Sequence, residues 1–501
     1  MEKSGMFMNQ LEEYAKQEEW TEAAALLECT DVQRLPWPER KRAAQVLADL
    51  PEELYLRMPL LSVRRIQLGA GRSDREEVRR GFSALTSLRE RSRENTPERR
   101  KLDNLLSAAS LLKRGIDNAQ LLLTLSVLYN ELHGQTPQVV LSATAGRPSV
   151  LSGAKDLSQW GRNWRAVSSI VRPMLGALLP HGGEGAAAAA CAELLYLKND
   201  INNAALQVSA AKSSPDPEIR FAGLAVTIQL HRLDPAAKQP EELAGRMADS
   251  LREAGADWLL PNAEALITRL DIGRGRLDQV EQWLDRYDGV ELDRCCPDNA
   301  YVVHTKAQAY LALGRFREAA MLTEDLLHMI EGDCRPIDRI EYLLDGALAC
   351  ERMGDGTAAA GKVRSALDLA QPYGYVRLFA DRGAAMLALL DRCAREDPLP
   401  EEQLPFWRKC VEAARQMSLL HPALYQPVTK EADPPELTRT EVQVMHLLAQ
   451  GKTNGKYAIP SASSCPRPSS ISTTCAKNWE QPTGRRLLLR PKNKDFCRKK
   501  S

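Results

Sequence analysis

The chain has 501 residues, 44% of them hydrophobic and 27% charged, which is ordinary for a protein that folds in water. Its length allows several cores or one long repeat array. Its net charge of +1 excludes a whole-chain attraction to nucleic acid or to an anionic membrane.

The near-neutral sum hides an asymmetry, because residues 459–501 carry ten Lys and Arg against Glu480 and Asp495, a net of +8. Residues 1–458 therefore sum to −7. Eleven cysteines are scattered without a CxxC, the one adjacent pair being Cys295–Cys296. Their spacing resembles neither a disulfide framework nor a metal cluster, so reduced thiols filling small core positions are expected, with no metal site and no cofactor. Apolar residues recur at i, i+3, i+4 and i+7 almost throughout, and β-branched alternation is nearly absent, which predicts an all-α fold.

The opening MEKSGMFMNQLEEYAKQEEW lacks the apolar core of a signal peptide, so a cytoplasmic chain is expected. YAKQEEWTEAAALLE (Tyr14–Glu28) is the first weak helix–turn–helix unit. GQTPQVVLSATAGRPSVLSGAKDLSQWGRNW (Gly134–Trp164) is rich in Gly, Pro and Ser and reads as a long connection, of the kind that carries function in helical arrays. GAAAAACAELLYL (Gly185–Leu197) is the longest apolar run, too short and alanine-rich to span a bilayer, so no membrane partner is expected.

LYLKNDINNAALQV (Leu195–Val208) is a second weak unit, and three clearer ones follow. Leu266–Leu284 turns at Gly275, Ala309–Leu327 at Gly314 with Ala319–Ala320 after it, and Ala349–Leu367 at Gly354 with Ala358–Ala360 after it. These glycines fall 39 and 40 residues apart by their positions in the sequence. Small residues behind a recurring turn let two helices approach, so the pattern predicts a tetratricopeptide-like solenoid with degenerate repeats rather than a generic bundle.

Within the third unit, GTAAAGKV (Gly356–Val363) imitates a phosphate-binding loop. A helix precedes it, and Val363 stands where a magnesium-binding hydroxyl is needed, so it reads as a repeat turn. No other catalytic motif is present, acidic pairs such as Glu76–Glu77 and Glu401–Glu402 read as solvated helix faces, and the chain is not expected to be an enzyme. REDPLPEEQLP (Arg395–Pro405) is a short break, and four prolines in His421–Leu437 mark a linker.

Beyond the linker, Thr438-Arg439-Thr440-Glu441 forms a capping box, and Leu437 with Val442 forms a hydrophobic staple. Val442, Met445, Leu448 and Ala449 make an apolar stripe, Gly451 supplies a left-handed stop, and Thr453 caps a second helix. The arrangement suits a helix-turn-helix, with a simple interaction helix as the alternative.

LTRTEVQVMHLLAQGKTN resembles the start of the LuxR-type helix-turn-helix, usually L-T-x-R-E-x-E-V-L-x-L-L-A-x-G-x-[ST]-N. Leu437, Thr438, Glu441, Val444, Leu447, Leu448, Ala449, Gly451, Thr453 and Asn454 match it, whereas Thr440 and Gln443 depart from it. Val46–Gly71, Arg147–Gly161 and Gln371–Leu390 resemble pieces of the MalT-like helical-repeat region. The resemblance implies residues 1–420 as that region, 421–436 as a Pro-rich linker, 437–458 as a partial helix-turn-helix and 459–501 as a basic, disordered tail. It also implies a bacterial transcriptional regulator whose array binds a small-molecule effector or protein partner, and assembly as a homodimer. Thr438, Lys452, Thr453 and Asn454 are the implied DNA-binding residues. The alternative is a helical-repeat interaction scaffold without DNA binding.

Two departures qualify the likeness. The chain begins inside the helical region, without the ATP-binding domain such regulators carry, so ATP dependence is not expected. After Asn454 the family continues into a recognition helix, but here Pro460, Pro466 and Pro468 exclude one. The break in mid-motif reads as a shifted frame from about Lys456 onward. Codons for AKNWEQPTG (Ala476–Gly484) permit K-K-L-G-A-T-N-R in another frame, which is similar to the family's final helix. DNA binding is then weakened; the rival reading is a genuine basic tail that grips phosphates without sequence choice.

Overall fold

Left-handed turns punctuate the chain wherever one helix must fold back on the next. The three predicted glycines take this conformation, with φ of 70° at Gly275, 77° at Gly314 and 85° at Gly354, where a Cβ would be strained. They join Leu260–Arg274 to Leu277–Asp288, Ala300–Ala312 to Phe316–Met329, and Pro336–Arg352 to Gly356–Ala370. The two weaker units turn on other residues, Glu18 (φ 57°) between Glu2–Lys16 and Trp20–Cys29 and Asn199 (φ 64°) between Gly183–Leu197 and Ile201–Gln207; Ser73 (φ 58°) makes the same turn between Pro59–Gly71 and Arg75–Arg91, a pair not among the predicted units.

The computed structural model describes residues 2–132, 137–139, 141–179, 181–234, 240–288 and 295–425. They are helical throughout the element order, and the one β-type pairing among them is an isolated bridge between Ser152 and Asp156. All lie within the unit Met1–Pro427. The predicted 437–458 helix-turn-helix, the 459–501 tail and most of the 421–436 linker lie outside the described residues.

The two helices of a pair have different burial, as a layered tetratricopeptide-like array requires. Every residue of Ala300–Ala312 except Tyr301 is buried, whereas Phe316–Met329 buries Ala319, Thr323 and Leu326. Pro336–Arg352 is likewise buried along most of its length, and Gly356–Ala370 covers it with Ala359, Val363 and Leu367. Ala319 and Ala359 are fully buried, so the small residues predicted behind the turns are the points of close approach. One large apolar cluster, including Trp283, Leu344, Phe379 and Met386, runs through these pairs to Leu404–Leu420. Burying a residue such as Leu344 contributes about 1.5–3 kcal/mol.

Helices far apart in sequence also meet. Asp298, in the turn before Ala300–Ala312, binds Arg40 at 2.8 Å and donates its backbone N–H to the Gly71 carbonyl at 3.1 Å. Gly71 is needed there, because a Cβ would come within 2.5 Å of the Asp298 carboxylate. Arg34 reaches Asp216 at 3.0 Å, and Arg114 Nε reaches Asp333 at 2.8 Å.

The acidic pair Glu76–Glu77 is not wholly the solvated face that its sequence suggests. Glu77 does not simply face solvent: its carboxylate lies 2.6 Å from Arg65 Nε, whose side chain is almost fully buried. Its neighbour Glu76 is exposed and pairs with Arg79 and Arg80 on the helix surface. Adjacent positions on a helix point about 100° apart, so the pair splits between the interior and the surface.

Candidate functional site

The long connection predicted at 134–164 is the most elaborately held segment of the described chain. Residues 141–157 are irregular and lead into a 3-10 turn, Ser158–Asn163. A buried irregular segment must find partners for its backbone and hydroxyl groups. Here three helices supply carboxylates for that purpose.

Glu218, at the start of Pro217–Arg232, accepts from Ser142 Oγ at 2.5 Å and Thr144 Oγ1 at 2.9 Å. Glu193, on Gly183–Leu197, accepts from the Ser149 hydroxyl, from Val150 N at 2.8 Å and from Leu151 N at 3.2 Å. Asp338, in the first turn of Pro336–Arg352, accepts from Arg147 Nη1 at 2.9 Å, Arg335 Nε at 2.5 Å and Ser152 Oγ at 2.8 Å. The segment reciprocates through Asp156, whose carboxylate accepts from Ser158 N and Ile337 N, both at 2.9 Å, and so caps the Pro336 helix. Further ties run from Asn262 Nδ2 to the Gly146 carbonyl at 2.7 Å and from the Tyr375 hydroxyl to the Ser158 carbonyl at 3.0 Å. Gly153 packs so tightly that a Cβ would fall 2.4 Å from the Ala143 carbonyl oxygen and 2.5 Å from that of Ser149.

The electrostatics divide these carboxylates into two kinds. Burial alone would raise the Asp338 pKa, but Arg147 and Arg335 override it and hold the group well below the usual carboxylate range. Glu193 has no cation to offset its burial, which pushes it up to about 7 against the pull of its Ser149, Val150 and Leu151 donors. Burial likewise raises Glu218, and lifts Asp156 to about 6 despite Arg335 nearby. A carboxyl raised on folding holds its proton more tightly in the folded state. Its contribution is therefore full below the unfolded pKa and is lost as pH climbs through the folded one. For Glu193 that window runs from 4.5 to about 7. The Glu193→Gln variant is expected to lose less stability than the parent across that window, read as thermal midpoints against pH. Parallel curves would contradict the assignment.

Between this segment and the first helices lies a cavity of about 230 Å³. Leu121, Leu125, Leu178 and Ile330 give it apolar walls, and the Trp160 indole adds an aromatic face. Gln33, Gln67, Asn118 and the Arg40–Asp298 pair contribute polar groups. Lys155 also lines it, donates to the Lys113 carbonyl at 2.6 Å, and is brought down to about 8 by burial and by Arg335. Apolar walls with a few convergent polar groups suit recognition of a small molecule, in a volume slightly below the common range for such sites. Among the described residues, no three His, Cys, Asp or Glu side chains gather as a metal-holding group.

The sequence-predicted site residues Thr438, Lys452, Thr453 and Asn454 lie outside the described residues. The phosphate-loop mimic Gly356–Val363 forms the first turns of Gly356–Ala370, capped by Asp355 and with Val363 in the core. Sequence reasoning found the connection but missed its anchors. Glu193 had one signal, a lone acid inside the longest apolar run. No described helix is long and apolar enough to cross a membrane.

Residues 177–396 match the family model described as the MalT-like TPR region. That span contains the Glu193, Glu218 and Asp338 anchors and the three glycine-turned pairs. No curated protein matches the chain.

Proposed function

We propose that the chain is a cytoplasmic transcriptional regulator of the LuxR/MalT-like type, acting by binding and not by catalysis. The helical array receives a small-molecule effector in the cavity beside the 141–157 segment, and the C-terminal module meets DNA. The observation that carries this reading is the MalT-like TPR match over residues 177–396, joined to a cavity built around a segment pinned by three of its helices. In the C-terminal module, Thr453 and Asn454 contact phosphate at a helix start, with Thr438 and Lys452 beside them. Base readout is weak, because the prolines after Ala458 replace a recognition helix. Assembly as a homodimer would place two such modules on one duplex.

DNA binding measured against salt, with the full chain and with a chain ending at residue 429, tests this reading. The full chain is expected to bind non-specifically, with an affinity that falls linearly on a log–log salt plot, and the shortened chain is expected to lose that binding. Equal binding by both chains, or none by either, would favour the interaction-scaffold alternative. A footprint selective for a palindrome would overturn the prediction of weak base readout.

A further inference from the structure

Cys295 and Cys296 stand next to each other just before the turn that opens Ala300–Ala312. Neither is in a disulfide; Cys295 is half-buried and Cys296 buried. Both line a second cavity, of about 1160 Å³, whose wall includes Val303, Leu322 and Met329 beside charged residues such as Arg72, Arg114, Lys306 and Asp325. The Cys295 thiol points at Met329 Sδ, 3.6 Å away. Two adjacent cysteines and a methionine thus line one cavity. Behind them lies an apolar cluster containing Val303, Leu326, Ile330 and Tyr342. None of these sulfurs takes part in fastening the 141–157 segment.

We propose that Cys295 and Cys296 form a vicinal dithiol site that captures a trivalent arsenical. With an organoarsenic(III) oxide, two As–S bonds form, and the oxide oxygen leaves as water carrying both thiol protons. Arsenic keeps its oxidation state, so no oxidant or reductant is required. The product is uncharged and suits the apolar cluster behind it, with Met329 offering a soft, polarizable neighbour.

The protonation of the pair selects this chemistry over its rivals. Burial pushes the Cys295 thiol up to about 12 and that of Cys296 to about 11. A zinc ion or a peroxide draws on thiolate, which is scarce at those values. An arsenic(III) oxide or hydroxide brings its own proton acceptor, so protonated thiols carry little penalty. Location gives the site a consequence. Asp298, which ties Arg40 and Gly71 to this turn, follows two residues after Cys296. Closing a ring across the two sulfurs therefore acts on the junction between the first helices and the array.

The test treats the reduced full-length chain with phenylarsine oxide, then washes with excess 2-mercaptoethanol. A bidentate adduct survives the monothiol and is removed by 2,3-dimercaptopropanol, because its second bond forms within the molecule. A single such adduct is expected despite the eleven cysteines, mapped by mass spectrometry to the peptide holding Cys295 and Cys296. Cys295→Ala and Cys296→Ala are each expected to cut the monothiol-resistant adduct by about tenfold or more, since one arsenic–sulfur bond lacks that intramolecular partner. Cys334→Ala is expected to leave it unchanged. A wild-type chain with no monothiol-resistant adduct, or one mapping to other cysteines, overturns the proposal whether or not the variants fold.

Discussion

Asp345→Ala is expected to lower folding stability by about 3–5 kcal/mol, the usual cost of stranding one partner of a buried ion pair. Asp345 is fully buried in Pro336–Arg352. It accepts from Arg382 Nε at 2.6 Å, His304 Nε2 at 2.7 Å and Gln308 Nε2 at 3.0 Å. Arg382 is only 3% exposed, and its other nitrogens are committed to the Leu378 and Glu341 carbonyls. Without the carboxylate, a guanidinium remains in the core without its paired counter-charge, Glu341 acting only from farther off. Asp345→Asn keeps the shape and one acceptor, so it is expected to fall between the parent and the alanine variant. Burial alone would raise the Asp345 pKa, but Arg382 and His304 hold it well below the carboxylate range. Its contribution is therefore present above the unfolded value of 3.8 and is lost as pH falls below it. Urea midpoints at constant slope are the measurement. A loss under about 1 kcal/mol, typical of exposed pairs, would mean that Asp345 is not the counter-ion of Arg382.

Asp338→Ala is expected to cost a similar amount, about 3–5 kcal/mol, by the same logic, but with a local signature. Its carboxylate is the shared acceptor of Arg147, Arg335 and Ser152, two of which belong to the irregular segment. Arg147 and Arg335 also donate to the Ser152 carbonyl, so losing Asp338 frees the groups that hold the middle of the segment. Amide hydrogen exchange is expected to accelerate over residues 141–157 before the helices open, and occupancy of the adjoining cavity is expected to fall. Exchange that rises uniformly across Pro336–Arg352 and the segment together would mean that the carboxylate serves global packing alone.

Much of the fold was legible because glycine leaves few alternatives. Gly275, Gly314 and Gly354 each stand where a helix must end in a left-handed residue, and each does. Glu18 and Asn199 perform the same turn with residues that also occur freely elsewhere, so their units looked weaker than they are, and the turn at Ser73 gave no repeat signal at all. The irregular segment betrayed itself by composition, but its anchors did not. Glu218 and Asp338 sit in the first turns of their helices, where an acid is expected simply to complement the helix dipole. A residue with an ordinary local reason to be acidic does not advertise a second, long-range one. Glu77 was hidden in the same way, as one of a pair in the first turn of Arg75–Arg91. Thr438, Lys452, Thr453 and Asn454 were assigned by likeness to a motif, and they lie outside the described residues.

An array whose repeats touch only their neighbours can come apart from either end, one unit at a time. The 141–157 segment changes that statistical mechanics. It is sewn to Gly183–Leu197 by Glu193, to Pro217–Arg232 by Glu218, to Leu260–Arg274 by Asn262 and to Pro336–Arg352 by Asp338. Peeling one pair away must break a stitch that also restrains pairs well over a hundred residues distant. Fraying is expected to give way to a more concerted transition, because the middle of the array is cross-linked through one segment and is no longer a stack of interchangeable parts.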